Sequence, residues 1–446
     1  MNQKNLRSGA GAGYSGDRIE PAVELAEKGR LDYLVFECLA ERTIALAQQR
    51  RARNPEEGYD PLLEARMTAC LPACAQNGIR VITNMGAANP VAAMNKTASI
   101  AARLGISGLK IAAVTGDEVS GQIRDMDLRL MESGESLGTL RDVLVSANAY
   151  LGAEPIVKAL EAGADIVITG RVADPALFAA PLIHEFGWSF SDFGRLGKGT
   201  VLGHLLECAG QVTGGFFADP GYKEVPNLAR LGFPIGIVSA DGDFELTKVP
   251  GSGGRITLAT CKEQLLYEIH DPARYYTPDV VADFTGVRFH QLEEDRIRVT
   301  GGSGNPKTGL LKVSVGYLDG FIGEGQMSYG GPGAVRRGQL ALDIVRERLG
   351  FLGIDTADGQ FDLIGVNSLY GPTLSVGEPA EVRARVAVRT ADRSVAQKVA
   401  DEVEALYTNG PAGGGGAVKS VREVMAVQSV LIPAEVVRTE IHFQNS

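Results

Sequence analysis

The first half of the chain repeats one pattern, in which a short apolar run stops at a glycine or a polar residue and a helical run follows. The clearest copy is GADIVITGRVADPAL, residues 163–177. Its β-branched run predicts a strand buried on both faces of a parallel sheet, and Pro175 opens the helix. Arg171 and Asp174 lie in the loop just past the carboxyl end of this strand, which is where open α/β sheets bind their ligands.

Four apolar runs upstream end in the same way, at residues 32–36, 80–83, 109–114 and 143–147. Because parallel strands present their carboxyl ends along one edge of a sheet, we expect the polar residues after these runs to meet. The predicted cluster comprises Glu37, Asn84, Asp117, Asn148, Arg171 and Asp174. The competing interpretation is that each is a helix cap or a turn former. This interpretation does not explain Arg171, which caps no helix N-terminus and needs a carboxylate or an anionic ligand.

A second candidate pair lies on the helical stretch GHLLECAGQ, residues 203–211. His204 and Glu207 are three residues apart and therefore share one face of the helix. Such a pair can orient a histidine for acid–base chemistry or supply half of a metal site. The alternative is a solvated or capping histidine. Cys208 is interpreted as packing rather than as a nucleophile.

From about Asn227 the pattern changes to strands joined by glycine turns. Predicted strands cover residues 233–238, 242–248, 255–260, 280–287, 295–299, 311–317, 363–366, 381–388 and 421–432, and predicted helices include 332–349 and 393–407. The fold prediction is therefore α/β, with an N-terminal parallel-sheet domain at residues 1–225 that carries the candidate site. A second, α+β domain with glycine-rich loops is predicted at residues 226–446.

Two glycine-rich stretches are candidate anion sites. In PGSGGR, residues 250–255, backbone N–H groups can converge on a phosphate ahead of a helix. The predicted cofactor-binding residues are Gly251, Gly253, Gly254 and Lys262. A surface ion pair with Glu263 is the alternative for the lysine. In LRSGAGAGYSG, residues 6–16, a tight turn is preferred to a dinucleotide fingerprint, because the apolar strand that should precede such a fingerprint is barely present.

Composition restricts the partners. The 54 acidic residues outnumber the 44 basic ones, which gives a formal net charge of −10 and argues against nucleic acid or an anionic membrane. Five sparse cysteines do not suit a secreted disulfide framework. No apolar run approaches the roughly 20 residues that span a bilayer, and no leader pattern is present at the N-terminus. We therefore expect a cytoplasmic protein.

Several longer stretches are distinctive. They are the glycine-rich text of residues 8–27, YLVFECLAERT, NMGAANP, NAYLGAEPIV, GADIVITGRVADPAL, HLLECAGQVTGG and CKEQLLYEIHDPARYYTPDVVADF. Together they cover almost the whole chain and resemble the acyclic terpene utilisation family, the AtuA-like proteins. The resemblance implies a role in the breakdown of branched, terpene-derived acids, often beside acyl-CoA enzymes. Long members carry a further small domain of about a hundred residues, a size typical of one compact unit. This chain ends without it, so beside a homo-oligomer we expect a separate small AtuA-like subunit as a candidate partner.

The leading hypothesis is a lyase, a hydratase or dehydratase, that acts on a small branched carboxylic acid or its CoA thioester. In this hypothesis the arginine holds a carboxylate, the two asparagines donate to an enolate-like oxygen, and a carboxyl group or the histidine moves the proton. The predicted catalytic residues are Glu37, Asn84, Asn148, Arg171, Asp174, His204 and Glu207.

The sequence leaves the cofactor open between none and a divalent cation held by Glu37, Asp117 and Asp174. The alternative function is a non-catalytic subunit that binds an acyl substrate or a partner enzyme, which would fit if the candidate residues spread apart or act as caps. A CoA ligase or carboxylase component ranks last, because it needs a nucleotide cradle and only the glycine loops offer one.

Overall fold

The computed structural model describes residues 5–371 and 377–446. The strands are β1 (Leu6–Ala12), β2 (Tyr33–Phe36), β3 (Arg80–Thr83), β4 (Lys110–Thr115), β5 (Leu144–Ala149), β6 (Ile166–Thr169), β7 (Pro234–Val238), β8 (Phe244–Lys248), β9 (Tyr275–Tyr276), β10 (Val281–Asp283), β11 (Arg288–Glu293), β12 (Arg296–Thr300), β13 (Ser303–Asn305), β14 (Leu310–Gly330), β15 (Gln360–Ile364), β16 (Glu381–Thr390), β17 (Gly415–Pro433) and β18 (Glu440–Asn445). The helices are α1 (Glu20–Lys28), α2 (Glu41–Arg53), α3 (Leu63–Asn77), α4 (Pro90–Arg103), α5 (Ser120–Ile123), α6 (Glu154–Glu161), α7 (Ala176–Phe186), α8 (Phe193–Leu206), α9 (Leu258–Leu266), α10 (Ala334–Phe351), α11 (Arg393–Glu404) and α12 (Leu406–Asn409).

The chain forms two compact units. The first contains the described residues up to Gly316 together with Val427–Ser446, and the second contains those of Tyr317–Ala426. The prediction of an α/β fold is confirmed. The boundary expected after residue 225 falls within the first unit, because β7 pairs with β1 and β8 pairs with β7, so the sheet continues past that point.

The first unit is built on a ten-stranded sheet with the order β11-β12-β8-β7-β1-β2-β3-β6-β4-β18. The five strands from β1 to β4 in this order are parallel, and antiparallel strands extend the sheet on both sides. All four residues of β2 and all four of β6 are buried. Strands covered on both faces need apolar side chains at every position, which explains why the sequence pattern predicted them.

The glycine-rich stretch at the start of the chain is a strand over Leu6–Ala12, so the prediction of a tight turn is wrong there. A turn follows the strand, where the Asp17 N–H donates to the Tyr14 carbonyl at 3.1 Å. A Cβ added at Gly9 would lie 2.6 Å from Leu31, and one added at Gly11 would lie 2.6 Å from Phe36. Glycine is therefore needed in β1 because neighbouring side chains occupy the space that its own side chain would fill. Strand propensity does not detect this requirement.

Two further predictions are corrected. Strand β5, which covers the predicted run at 143–147, is not part of the parallel sheet and pairs with β14. The strand predicted at 255–260 is the start of helix α9, whose N-cap Thr257 accepts a hydrogen bond from the Thr260 N–H at 3.2 Å. In both cases a short apolar run was consistent with more than one local structure or pairing.

The second unit combines an antiparallel sheet with two longer helices. Residues 321–330 of β14 pair with β16, and β16 pairs with β15. Helices α10 and α11 pack against β16, whose alternate residues are buried as predicted. Asp392 caps α11 by accepting from the Ser394 N–H at 2.6 Å. In neither unit does the described part of the chain contain a helix long and apolar enough to cross a membrane.

Candidate functional site

The carboxyl ends of the parallel strands in the first unit bring a set of polar residues to one sheet edge. Glu37 follows β2, Asn84 follows β3, and Arg171 follows β6, and all three are at most 8 % exposed. Asp117 follows β4 and is also buried. Asn148 also lies beside Asp117, although it does not follow a strand of the parallel sheet. It lies within β5 and forms an antiparallel bridge with Glu118.

Glu37 and Asn84 form a buried pair. The Asn84 Nδ2 donates to Glu37 Oε1 at 2.9 Å, and the Leu39 N–H donates to the same oxygen at 2.9 Å. Asn84 Oδ1 accepts from the Cys38 N–H at 2.7 Å. Burial, and then the charge of Asp174, raise the pKa of Glu37 well above its ordinary value. The Asn84 amide, predicted to face an enolate-like oxygen, supports Glu37 in this structure.

The Asp117 carboxylate is hydrogen-bonded by other residues of the protein. Its Oδ2 accepts from the Asn148 Nδ2 at 2.8 Å and from the Arg171 N–H at 2.9 Å, and burial raises its pKa to about 6. A Cβ added at Gly170 would lie 2.4 Å from the carboxylate, so the loop after β6 packs directly on it. Across the described residues, no three or more His, Cys, Asp or Glu are grouped to hold a metal ion. A cation held by Glu37, Asp117 and Asp174 therefore does not fit this arrangement.

The Arg171 guanidinium faces the interior. It is 1 % exposed, donates to Asp174 Oδ1 at 2.5 Å, and donates to the Leu39 carbonyl oxygen. A third of the Asp174 side chain is exposed, so this carboxyl is the part of the pair that solvent reaches. The structure thus places a protein carboxylate where the sequence predicted a substrate carboxylate, because an arginine buried this deeply requires a partner of opposite charge.

The pKa of Asp174 lies near neutrality. Burial raises it, the Arg171 guanidinium lowers it, and the charges of Glu207 and Glu41 raise it again, which brings the value to about 7. A carboxyl with such a pKa is present in both protonation states under ordinary conditions, which is the property required of a group that gives and takes a proton.

His204 and Glu207 form the predicted pair on α8. His204 Nδ1 lies 2.9 Å from Glu207 Oε1, and the imidazole is 1 % exposed between Tyr275 and Phe284, whose ring centroids are both 5.5 Å away. The solvated histidine is therefore excluded. Burial lowers the pKa of His204, but the neighbouring Glu207 carboxylate outweighs it and the net direction is upward. His204 Nε2 and Glu207 Oε2 are buried without a hydrogen-bond partner among the described residues.

Two residues of this site were missed. Tyr150 places its ring centroid 4.1 Å from the Arg171 guanidinium carbon, and its hydroxyl donates to Glu41 Oε1. Burial raises the pKa of Glu41, but the Tyr150 hydrogen bond and nearby positive charges outweigh it and bring the value to about 2. The sequence did offer a signal, because Tyr150 follows Asn148 by two residues and Glu41 follows Glu37 by four.

The glycine loop predicted as a phosphate cradle uses two of its N–H groups within the protein. The Gly253 N–H donates to the Arg230 carbonyl at 2.8 Å, and the Gly254 N–H donates to the Pro226 carbonyl at 2.8 Å. The N–H groups of Gly253 and Gly254 are therefore already used. Lys262 is exposed on α9, and Glu263 pairs with Lys223.

Comparison with known proteins gives one finding. The model of the acyclic terpene utilisation family protein AtuA matches residues 6–443, nearly the whole chain. No curated protein and no solved structure matches the chain.

Proposed function

The chain belongs to the acyclic terpene utilisation family AtuA, and from this premise we propose that it is a lyase of the hydratase or dehydratase type. The proposed substrate is a small branched carboxylic acid or its CoA thioester. One observation carries the proposal, which is the partly exposed Asp174 carboxyl, held by a buried arginine and with its pKa raised to about 7.

Loss of water from a β-hydroxy acyl compound needs a base for the proton next to the carbonyl and an acid for the departing hydroxyl group. In the proposed reaction the Asp174 carboxylate takes the carbon-bound proton. The pair of electrons from the C–H bond forms the double bond, the C–O bond breaks, and His204 Nε2 gives its proton to the hydroxyl, which leaves as water. Glu207 stabilises the charged imidazole through Nδ1, and hydration is the reverse of these steps.

The charge around Asp174 favours the thioester over the free acid. The charges of Glu41 and Glu207 both act on Asp174 and raise its pKa. A free carboxylate entering this site would meet like charges, whereas a thioester carbonyl is neutral. The rival function, a non-catalytic subunit that binds acyl compounds, does not require a carboxyl with a near-neutral pKa.

The test is turnover by purified protein. Branched hydroxy acids, unsaturated acids and their CoA esters are incubated with it, and a gain or loss of one water is followed by mass spectrometry. We expect Asp174→Asn to reduce the rate by about 10²- to 10⁴-fold, the usual contribution of a general base. Asp271→Asn is the matched control, because Asp271 also pairs with an arginine three residues along, at 3.0 Å, but on a partly exposed surface.

The outcomes separate the two functions. Water addition or loss that survives in Asp271→Asn and disappears in Asp174→Asn supports the lyase. No turnover across the whole panel, together with tight binding of one acyl compound or a partner enzyme, would instead support the binding subunit. We also propose a homo-oligomer, and light scattering of the purified chain tests it, with a monomeric mass as the contrary result.

A further inference from the structure

Arg171 is the most enclosed charge of the candidate site. Its guanidinium carbon lies 4.1 Å from the ring centroid of Tyr150, and the side chain is 1 % exposed. Its Nε is buried without a hydrogen-bond partner among the residues described. The Tyr150 ring therefore covers one side of a buried cation.

Tyr150 is itself held at several points. Its hydroxyl donates to Glu41, and its backbone N–H donates to the Lys312 carbonyl at 2.9 Å. The Lys312 Nζ lies 3.2 Å from Glu41 Oε1 and 5.1 Å from the centroid of the tyrosine ring. The next residue, Leu151, donates to the Arg171 carbonyl at 3.2 Å. The ring and the arginine below it are thus fixed to each other through both backbone and side chains.

We propose that Tyr150, anchored by Glu41, seals the Arg171 guanidinium from solvent and fixes it as the permanent counter-ion of Asp174. Arg171 then acts on the substrate only through Asp174, and Tyr150 and Glu41 are positioning residues. The catalytic meaning of this arrangement rests on the proposed function, but the seal itself does not.

The physical basis is the competition for a buried cation. A guanidinium over an aromatic face is attracted to it more strongly when both are desolvated, and it loses the freedom to turn towards another anion. Glu41 adds a negative charge close to the guanidinium, so Arg171 divides its attraction between Glu41 and Asp174. This division keeps the Asp174 carboxyl from being held permanently in its ionised form.

The first experiment measures solvent access to Arg171. Exchange of its Nε–H is followed by NMR in protein labelled with ¹⁵N-arginine, without substrate. We expect Tyr150→Leu to speed the exchange about tenfold or more, because the desolvated contact is lost, and Tyr150→Phe, which keeps the ring but loses the hydrogen bond to Glu41, to speed it less. Equal exchange in folded Tyr150→Leu and the parent protein would overturn the seal.

Tyr33→Leu is the matched control. The Tyr33 ring centroid lies 5.8 Å from the Arg80 guanidinium carbon and its hydroxyl donates to Glu185 at 2.8 Å, so it repeats the same chemistry. It lies at the opposite end of β2 from the candidate site. Its removal should leave Arg171 exchange unchanged, and an equal acceleration there would mean that the effect is general loosening rather than loss of the seal.

A second measurement holds even if Tyr150→Leu does not fold. Glu41→Gln removes a negative charge near Asp174, so the pKa of Asp174, followed by ¹³C NMR of the carboxyl, should fall by on the order of one unit. An unchanged or higher value would overturn the positioning role of Glu41. Because neither measurement uses a substrate, absence of turnover would count against the lyase alone, and unchanged NMR properties would count against the seal alone.

Discussion

Replacing Asp279 with asparagine should make the stability of the first unit less dependent on pH. Asp279 Oδ2 accepts from the Ala153 N–H at 2.9 Å, and a Cβ added at Gly152 would lie 2.4 Å from Oδ1. The carboxyl therefore anchors the segment that follows Tyr150. Burial raises its pKa from 3.8 to about 6.

The expected magnitude follows from this shift. A difference of about 2 pKa units corresponds to about 3 kcal/mol, at 1.36 kcal/mol for each unit. Because the pKa of Asp279 is higher in the folded than in the unfolded chain, the folded state binds the proton more tightly. Stability from this group is complete below about pH 4 and is lost as the pH rises through about 6. Asparagine cannot ionise, so the free energy of unfolding of the variant, relative to the parent, should rise by about 3 kcal/mol between pH 4 and pH 8.

Urea unfolding at both pH values measures this difference. The single tryptophan, Trp188, is 4 % exposed in the first unit and reports its unfolding by fluorescence. Taking the variant relative to the parent cancels the titration of all other groups. The partly exposed Asp271 provides the control, since Asp271→Asn should show no comparable rise. A relative stability of Asp279→Asn that is the same at both pH values would refute the reasoning.

Two further substitutions test the packing of the site. Gly170→Ala should lower the free energy of unfolding by about 1–3 kcal/mol, because its Cβ would displace the Asp117 carboxylate. Gly121→Ala, which meets no atom within 4 Å, should cost nothing in the same urea experiment, and equal costs would contradict the account. Glu37→Gln should be tolerated to within about 1 kcal/mol because its amide oxygen can still accept from the Leu39 N–H, whereas Glu37→Leu should cost about 1–3 kcal/mol by leaving that N–H without an acceptor. Equal stability of the two Glu37 variants would show that this bond contributes nothing.

The parallel strands could be predicted from sequence because a strand buried on both faces appears as a continuous apolar run. β2 and β6 are buried throughout and almost entirely apolar, and Asn89 and Pro90 mark the start of α4, where the Asn89 side chain accepts from the Ala92 N–H at 3.3 Å. The local sequence does not show which neighbour a strand pairs with. The run that became β5 begins with apolar residues as its neighbours do, and its pairing with β14 is what sets it apart from the parallel sheet.

The candidate site shows the same division. Position after a strand was enough to nominate Glu37, Asn84 and Arg171, because the topology fixes where each strand ends. Direction was not available from position, so an arginine that points inward was expected to face a ligand. Tyr150 was missed for a related reason, since an aromatic residue next to a strand is usually packing, and only the distance to Arg171 shows that it covers a charge.

The distribution of hydrogen bonds separates structural from chemical roles among the buried carboxyls. Asp117 accepts from an amide and from a backbone N–H, and it thereby joins strand β5, which carries Asn148, to the loop that carries Arg171. Asp174 has the Arg171 guanidinium as its ion-pair partner and leaves a third of its side chain exposed. A buried ion pair can often be replaced by apolar residues without loss of stability. Stability alone therefore does not explain why the pair of Arg171 and Asp174 is present. We expect its function to involve a ligand that contacts the exposed part of the Asp174 side chain.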